Sequence, residues 1–344
     1  MCSLALLFLS LSLFLSLSLF LLLFLFLLLF LLLLLFLFLL LFLFVLVAHA
    51  LSVPRPDSSG RKASLPTNMG PRRPLLHSIL LYTLTLLVFY FALHWLAGRV
   101  IYQGSSSLPD PAWRDALGAE DVWLRTRDGV RIHGWWAHVG GSQFATLFLH
   151  GNAGNIGHRA PHMREILEAG SDVLVIDYRG YGRSQGRPSE RGLSLDADAG
   201  YDYLAAQGKP IVLHGESLGS AVAVELATRR PVAGLILEAP FTSLRAEANT
   251  VIPLIGPLVV WGFDSKARIA QVHAPLLVIH GDHDQTVPYR LGRQLYEAAP
   301  GPKSFWTVAG GDHNDLLEAA GPEYRERLRR FYALLQIPAV ARQP

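Results

Sequence analysis

One stretch constrains this chain more than any other: Ile211-Val212-Leu213-His214-Gly215-Glu216-Ser217-Leu218-Gly219-Ser220. A β-rich apolar run enters Gly215-Glu216-Ser217-Leu218-Gly219, and the Ala- and Val-rich residues 221–228 read as helix. Strand, G-x-S-x-G and helix, in that order, are the setting of a nucleophile elbow. A serine there sits on a sharp turn that most side chains disfavour. The residues two before and two after it must be small so that strand and helix can approach. The turn lifts the Ser217 hydroxyl above the sheet edge. It also aims the Leu218 N–H, at the new helix N-terminus, toward the place where an oxyanion would form. The pentapeptide alone also fits a glycine-rich turn with a capping serine.

The rest of the chain decides between these readings. Its 344 residues suffice for one large domain or two small ones, and the 51% hydrophobic content is high because of the N-terminus. A formal charge of +3 without a long basic run gives no nucleic-acid footprint. The single cysteine, Cys2, excludes an intramolecular disulfide framework and a cysteine-based metal site.

Residues 1–50 are a low-complexity Leu/Phe/Ser tract, longer than one membrane span requires and lacking the basic start of a signal peptide. Ala48-His49-Ala50 imitates a cleavage site. The tract reads as a span, an aberrant signal sequence or translation upstream of the true start. The last is preferred, with Met69 as initiator. Residues 51–74 form a polar linker carrying Arg55, Arg61, Lys62, Arg72 and Arg73. Its composition predicts disorder. Residues 75–97 are apolar over a bilayer's thickness and end near Tyr90 and Trp95, as an interfacial belt would. Five basic residues precede this predicted transmembrane helix and only Arg99 closely follows it. The positive-inside bias therefore places the C-terminal domain on the extracytoplasmic side.

Residues 100–340 are expected to form one α/β domain. Residues 122–125 and 130–137 flank Arg127-Asp128-Gly129, a hairpin turn signal. Apolar runs at 145–149, 173–177, 211–213, 235–237, 276–279 and 305–308 then alternate with helical stretches. That pattern predicts a mostly parallel, eight-stranded sheet covered on both faces. Amphipathic residues 316–335 read as a closing helix. Residues 241–272 are short for a lid domain and read as a small cap or core helix, with an apolar patch at 251–261.

A serine hydroxyl needs an adjacent base, itself oriented by a third group. The downstream histidines are His273, His280, His283 and His313. His273 and His280 bracket or end an apolar strand and read as structural. His313, in Gly310-Gly311-Asp312-His313-Asn314-Asp315, lies between the last strand and the last helix, where a base should hang. The acids at hand are Asp282 and Asp284, both after the penultimate strand. Asp284 is preferred because it lies deeper in the loop, before the Val287-Pro288 turn, while Asp282 suits a turn cap. Small residues in Leu149-His150-Gly151-Asn152-Ala153-Gly154-Asn155 let backbone approach a substrate, and the Asn152 N–H is the expected second oxyanion donor beside Leu218. No Walker lysine or G-x-G-x-x-G follows, so phosphate and dinucleotide readings fail. No cofactor and no metal site are expected, since no second cluster completes the His and Asp of 280–284.

With these stretches in hand, the chain from about residue 120 to 335 resembles the α/β-hydrolase superfamily. It is similar in particular to the membrane-anchored branch of bud-emergence-type hydrolases and the ABHD proteins. The resemblance rests on His150 to Asn155, on Asp177-Tyr178-Arg179-Gly180-Tyr181-Gly182-Arg183-Ser184, on the elbow around Ser217, on residues 275–288 and on Gly310 to Asp315. It implies an α/β-hydrolase fold with a small cap behind a transmembrane helix. It also implies the chain order serine, acid, histidine, and an acid three residues after the strand-end glycine, which is Asp284. Some ABHD relatives are depalmitoylases with an N-terminal cysteine cluster, which Cys2 alone does not reproduce.

The expectation is a membrane-anchored serine hydrolase that cleaves an ester or thioester of an acyl or lipid-like substrate. Ser217 is its nucleophile, His313 its base and Asp284 the orienter. The partners expected are that substrate and the membrane, with no nucleic acid and no obligate protein. A serine peptidase or amidase of the same fold is the enzymatic alternative. A catalytically silent binding protein is the alternative of another class.

Overall fold

The computed structural model describes residues 72–107 and 111–336. The 1–50 tract with Cys2, the linker up to residue 71 and the Met69 start therefore lie outside the described residues.

Helix α1 (Arg72–Ile101) is longer than expected, by three residues before and four after residues 75–97. Within it, Leu80–Ile101 is apolar and long enough to cross a bilayer, and none of its most apolar window is buried. Strand β1 (Gln103–Gly104) and helix α2 (Pro111–Ala116) lead into the sheet.

β2 (Glu120–Arg125) and β3 (Arg131–Ala137) form the expected hairpin. Its turn closes on the Gly129 N–H, which donates to Thr126 O at 2.9 Å. β4 (Ala145–Leu149), the short β5 (Ala153–Gly154), α3 (Ala160–Glu168) and β6 (Asp172–Ile176) follow. Next come α4 (Glu190–Ala205), β7 (Ile211–Glu216), α5 (Leu218–Ala227) and β8 (Gly234–Glu238). The insertion after β8 holds α6 (Leu244–Val251), α7 (Gly256–Val259) and α8 (Ser265–Ile269). The chain then continues through β9 (Leu276–Gly281), α9 (Tyr289–Ala298) and β10 (Lys303–Val308) to α10 (Leu316–Ala320) and α11 (Pro322–Gln336).

The main sheet has eight strands in the order β10-β9-β8-β7-β4-β6-β3-β2, parallel except where β3 meets β2 and β6. Every residue of β4, β6, β8 and β9 is buried, because helices cover both faces. Edge strand β10 instead alternates, burying Trp306 and Val308. On one face Leu193, Ala197, Leu226 and Leu295 of α4, α5 and α9 pack against the strands. On the other, Met163 and Ile166 of α3 meet Leu328, Phe331 and Leu335 of α11.

One expectation changes, and one choice left open is decided. The closing helix is not continuous: Gly321 at φ 53 ends α10 and Pro322 opens α11. Glycine takes the left-handed conformation without a Cβ clash, and proline at a helix start loses no hydrogen bond. The 241–272 segment is a cap of three short helices rather than one core helix, and its apolar patch is exposed at Val251, Leu254, Leu258 and Trp261.

The parallel strands β4, β7, β8, β9 and β10 all end at one edge, where Leu149 pairs with Gly215, Glu216 with Glu238, and Val308 with Gly281. Loops leaving that edge are where an open α/β sheet builds its sites.

Candidate active site

Ser217 stands between β7 and α5 with φ 50 and ψ −113. Such a conformation costs a non-glycine residue of order 1–3 kcal/mol and persists only where the surroundings impose it. Here they do. The Ser217 N–H donates to Glu238 O at 2.9 Å, and the Ser220 N–H donates back to Ser217 O at 2.9 Å. The Glu238 carboxylate below is gripped by His214, His162 and the Tyr324 hydroxyl. A Cβ at Gly219 would overlap Leu149 O, and one at Gly215 would overlap Gly219 O. The two small positions of the elbow are thus demanded by close backbone approach, as the pentapeptide predicted.

His313 hangs in the loop after β10 and reaches over the elbow. Its Nε2 lies 3.0 Å from Ser217 Oγ, and its Nδ1 lies 2.8 Å from Asp284 Oδ2. With the proton on Nδ1, that nitrogen donates to Asp284 while Nε2 accepts from the serine hydroxyl. The three expected residues come together from loops 67 and 29 positions apart in sequence (284 − 217 and 313 − 284). The His313 loop is held by Asp312, whose Oδ1 accepts the N–H of His313 at 2.7 Å and of Gln285 at 2.9 Å.

Asp284 and Asp282 differ in what they hold. Asp284 is buried, and its Oδ1 accepts the N–H of Thr286 at 2.9 Å and of Val287 at 2.7 Å. Its Oδ2 faces His313 and, at 3.2 Å, His280 Nε2. Exposed Asp282 instead accepts the Gly310 N–H at 2.7 Å, tying the two loops together rather than capping its own turn.

Burial by itself would raise the Asp284 carboxyl, but hydrogen bonds from His280 and His313 hold it well below the usual carboxylate range. For His313, burial disfavours the charged ring, yet the hydrogen bond to Asp284 and its charge raise the imidazole above its ordinary value. Ser217 thus faces a base oriented by an ionised carboxylate.

The two N–H groups expected to receive an oxyanion stand close to the elbow in different ways. Leu218 is the first residue of α5, so its N–H has no helical acceptor. Asn152 lies in the loop after β4, and its N–H makes no hydrogen bond among the described residues. Asn152 O accepts the Gln103 N–H at 3.0 Å and the Tyr181 hydroxyl at 2.9 Å. The Asp177 to Ser184 motif therefore braces this loop: Tyr178 OH donates to His150 O at 3.1 Å, and Asp177 Oδ1 accepts the Ile156 N–H at 2.9 Å.

Three contributors escaped the sequence reading. Glu216, the residue before the nucleophile, takes the Arg159 Nε–H at 2.5 Å, while Arg159 Nη2 reaches Ala153 O at 3.4 Å, linking elbow to oxyanion loop. His280 touches Asp284 instead of serving only the core. Glu247 of α6 lies within electrostatic range of His313 and Asp284, and burial with the Asp284 charge pushes its carboxyl up to about 7, against the opposing pull of His313. Glu216 stood in the x of G-x-S-x-G, a clue to its place. Nothing in sequence tied His280 or Glu247 to the serine. No group of three or more His, Cys, Asp or Glu among the described residues is arranged to hold a metal ion.

Comparison with known proteins agrees with this architecture. A family profile described as serine aminopeptidase, S33, matches residues 142–265. The uncharacterized protein Rv2307c of Mycobacterium tuberculosis is 44% identical over 244 residues, covering 68% of this chain and 86% of that one. Lysophosphatidylserine lipase ABHD12 of Mus musculus is 33% identical over 223 residues, 58% of this chain, which spans about half of that protein (53%). Among solved structures, the Pyrococcus furiosus esterase Pf2001 superposes with a TM-score of 0.57 at 21% identity, covering 67% of this chain and 98% of that one. This last likeness speaks to the fold.

Proposed function

Because the chain belongs to the α/β-hydrolase superfamily, we propose that it is a membrane-anchored serine hydrolase that cleaves a carboxylic ester or thioester of a lipid-like acyl substrate. The observation that carries the reading is the hydrogen-bonded chain from Ser217 Oγ through His313 to Asp284. As Ser217 Oγ bonds to the acyl carbon, its proton passes to His313 Nε2. The carbonyl oxygen, now negative, is received by the N–H groups of Leu218 and Asn152. The bond to the leaving alcohol or thiol breaks, and His313 Nε2 returns the proton to it. Water then repeats the sequence on the acyl-enzyme and restores the Ser217 hydroxyl.

The likeness to ABHD12, a lysophosphatidylserine lipase, supports a single-acyl lipid ester as the substrate class. Helix α1 is the anchor. The excess of Arg and Lys before it over Arg99 after it favours a hydrolase domain on the extracytoplasmic side. Amide cleavage by the same groups is the second reading, favoured by the description of the matching family profile.

Purified full-length protein tests both, with p-nitrophenyl esters set against aminoacyl p-nitroanilides and a fluorophosphonate probe reporting an activated serine. Ser217→Ala is expected to abolish labelling and to lower ester turnover by several orders of magnitude, with an unchanged melting temperature. Turnover within about tenfold of wild type would remove Ser217 from the chemistry.

A further inference from the structure

The cap carries an apolar surface that, at Leu254 and Leu258, is left largely open by the described residues. Leu254 is 83% exposed and Leu258 62%, with Val251, Ile255 and Trp261 beside them. Leu254 also stands at φ 68, a left-handed conformation unfavourable for leucine, so strain is spent where an apolar side chain points outward. Contiguous exposed apolar residues of this kind mark a binding surface.

What lies against this surface follows from its neighbour. The cap is fastened to α1: the Trp261 ring stacks on His94, with centroids 4.3 Å apart, and on Tyr90 at 6.2 Å. His94 Nδ1 adds a hydrogen bond to Val259 O at 3.0 Å. Both α1 residues lie inside Leu80–Ile101, the stretch long enough to cross a bilayer. At 1.5 Å rise per residue, His94 is about 10 Å, and Tyr90 about 16 Å, from the Ile101 end of that stretch. Arg99, the first charge after the apolar run, lies only about 8 Å along the helix from His94. With α1 crossing the bilayer, a segment stacked on residues 90–94 sits below the level of Arg99, at the depth of the acyl boundary. Interfacial elements insert their apolar faces to a depth of about 5–10 Å.

We propose that residues 251–261 are a membrane-inserting element that seats the cap in the bilayer leaflet from which α1 emerges near Arg99, so that lipid substrate reaches the site from the acyl phase. The inference rests on the proposed membrane anchoring and lipid-ester hydrolysis. The route follows from sequence spacing: Val251 is one helical turn from Glu247, the α6 residue that senses His313. An acyl chain leaving the bilayer along Val251, Leu254 and Leu258 is led to α6, whose Glu247 acts electrostatically on His313. The exposed patch, the attachment to α1 and the position of α6 are independent observations that agree on one occupant, the hydrocarbon of the bilayer.

The test reads depth, not turnover. Full-length protein with Cys2→Ser and a single introduced thiol, Leu258→Cys or Leu254→Cys, is labelled with bimane and reconstituted in phosphatidylcholine vesicles. A doxyl group at acyl carbon 5 of the lipid is expected to quench either label at least about threefold more than aqueous iodide does, as for a face inserted at the acyl boundary. Iodide quenching of both labels with no effect of doxyl lipid would overturn the proposal. The two positions guard against one variant failing to fold. An inactive protein could still give the lipid quenching, and an active esterase could lack it, so this inference and the proposed chemistry fail separately.

Discussion

Asp284→Asn offers the sharpest test of the site, because the structure dictates how the amide would sit. Asp284 Oδ1 accepts two backbone N–H groups, from Thr286 and Val287. Those donors tolerate only an acceptor, so the asparagine carbonyl takes that place. Its NH2 is then left where Oδ2 stood, 2.8 Å from His313 Nδ1. An NH2 there donates, which forces the His313 proton onto Nε2, and Nε2 can no longer accept from Ser217. The expected loss in kcat/KM is on the order of 10⁴-fold, equivalent to about 5.4 kcal/mol in the barrier. Asp282→Asn keeps its carbonyl oxygen on the Gly310 N–H and is expected to cost less than about tenfold, the scale of one weakened hydrogen bond. The assay is p-nitrophenyl butyrate hydrolysis by purified full-length variants at pH 8, with thermal melting to confirm folding. An Asp284→Asn enzyme within tenfold of wild type, or a larger loss from Asp282→Asn, would refute this argument.

Four further outcomes are expected. His313 must lose its proton to act as base, so kcat/KM rises with pH through an inflection above the ordinary imidazole value. Glu247→Gln removes one of the negative charges that raise His313 and moves that inflection to lower pH; an unmoved or raised inflection counts against the contact. The same variant carries a stability sign. Glu247 is raised in the fold to about 7, so its contribution is full below the unfolded carboxyl value and is lost as pH rises through 7. Glutamine should therefore gain in melting temperature on wild type between pH 5 and 8. For topology, alkaline phosphatase fused after Pro344 is expected to be active. An inactive phosphatase fusion paired with a fluorescent cytoplasmic reporter would place the domain on the other side.

Local sequence carried the fold because its signals are local in origin. Apolar runs such as residues 145–149 and 276–279 are near-continuous since both of their faces are buried, and strands β4 and β9 appear where those runs do. Gly215 and Gly219 were legible because backbone crowding at the elbow excludes any side chain, a demand written in residue type. The loop positions of Asp284 and His313 were legible only through the order of strands and the family's chain order, which a strand-by-strand reading supplies.

Other features depend on which segments meet, and no sequence period records that. Asp284 and Asp282 are two residues apart and chemically identical; the tertiary fold turns one inward onto two histidines and leaves the other on the Gly310 N–H. Arg159 and Glu216 are 57 positions apart, yet they join the oxyanion loop to the elbow. The Glu247 carboxyl is raised by burial and by the Asp284 charge, and Trp261 finds its place beside α1 through a stack on His94, 167 positions earlier (261 − 94). Sequence determines the strand, the turn and the residue types able to do the chemistry. Which carboxylate meets the histidine, and which apolar surface is left facing outward beside α1, is decided by long-range packing, because only there do distance and desolvation act on each group.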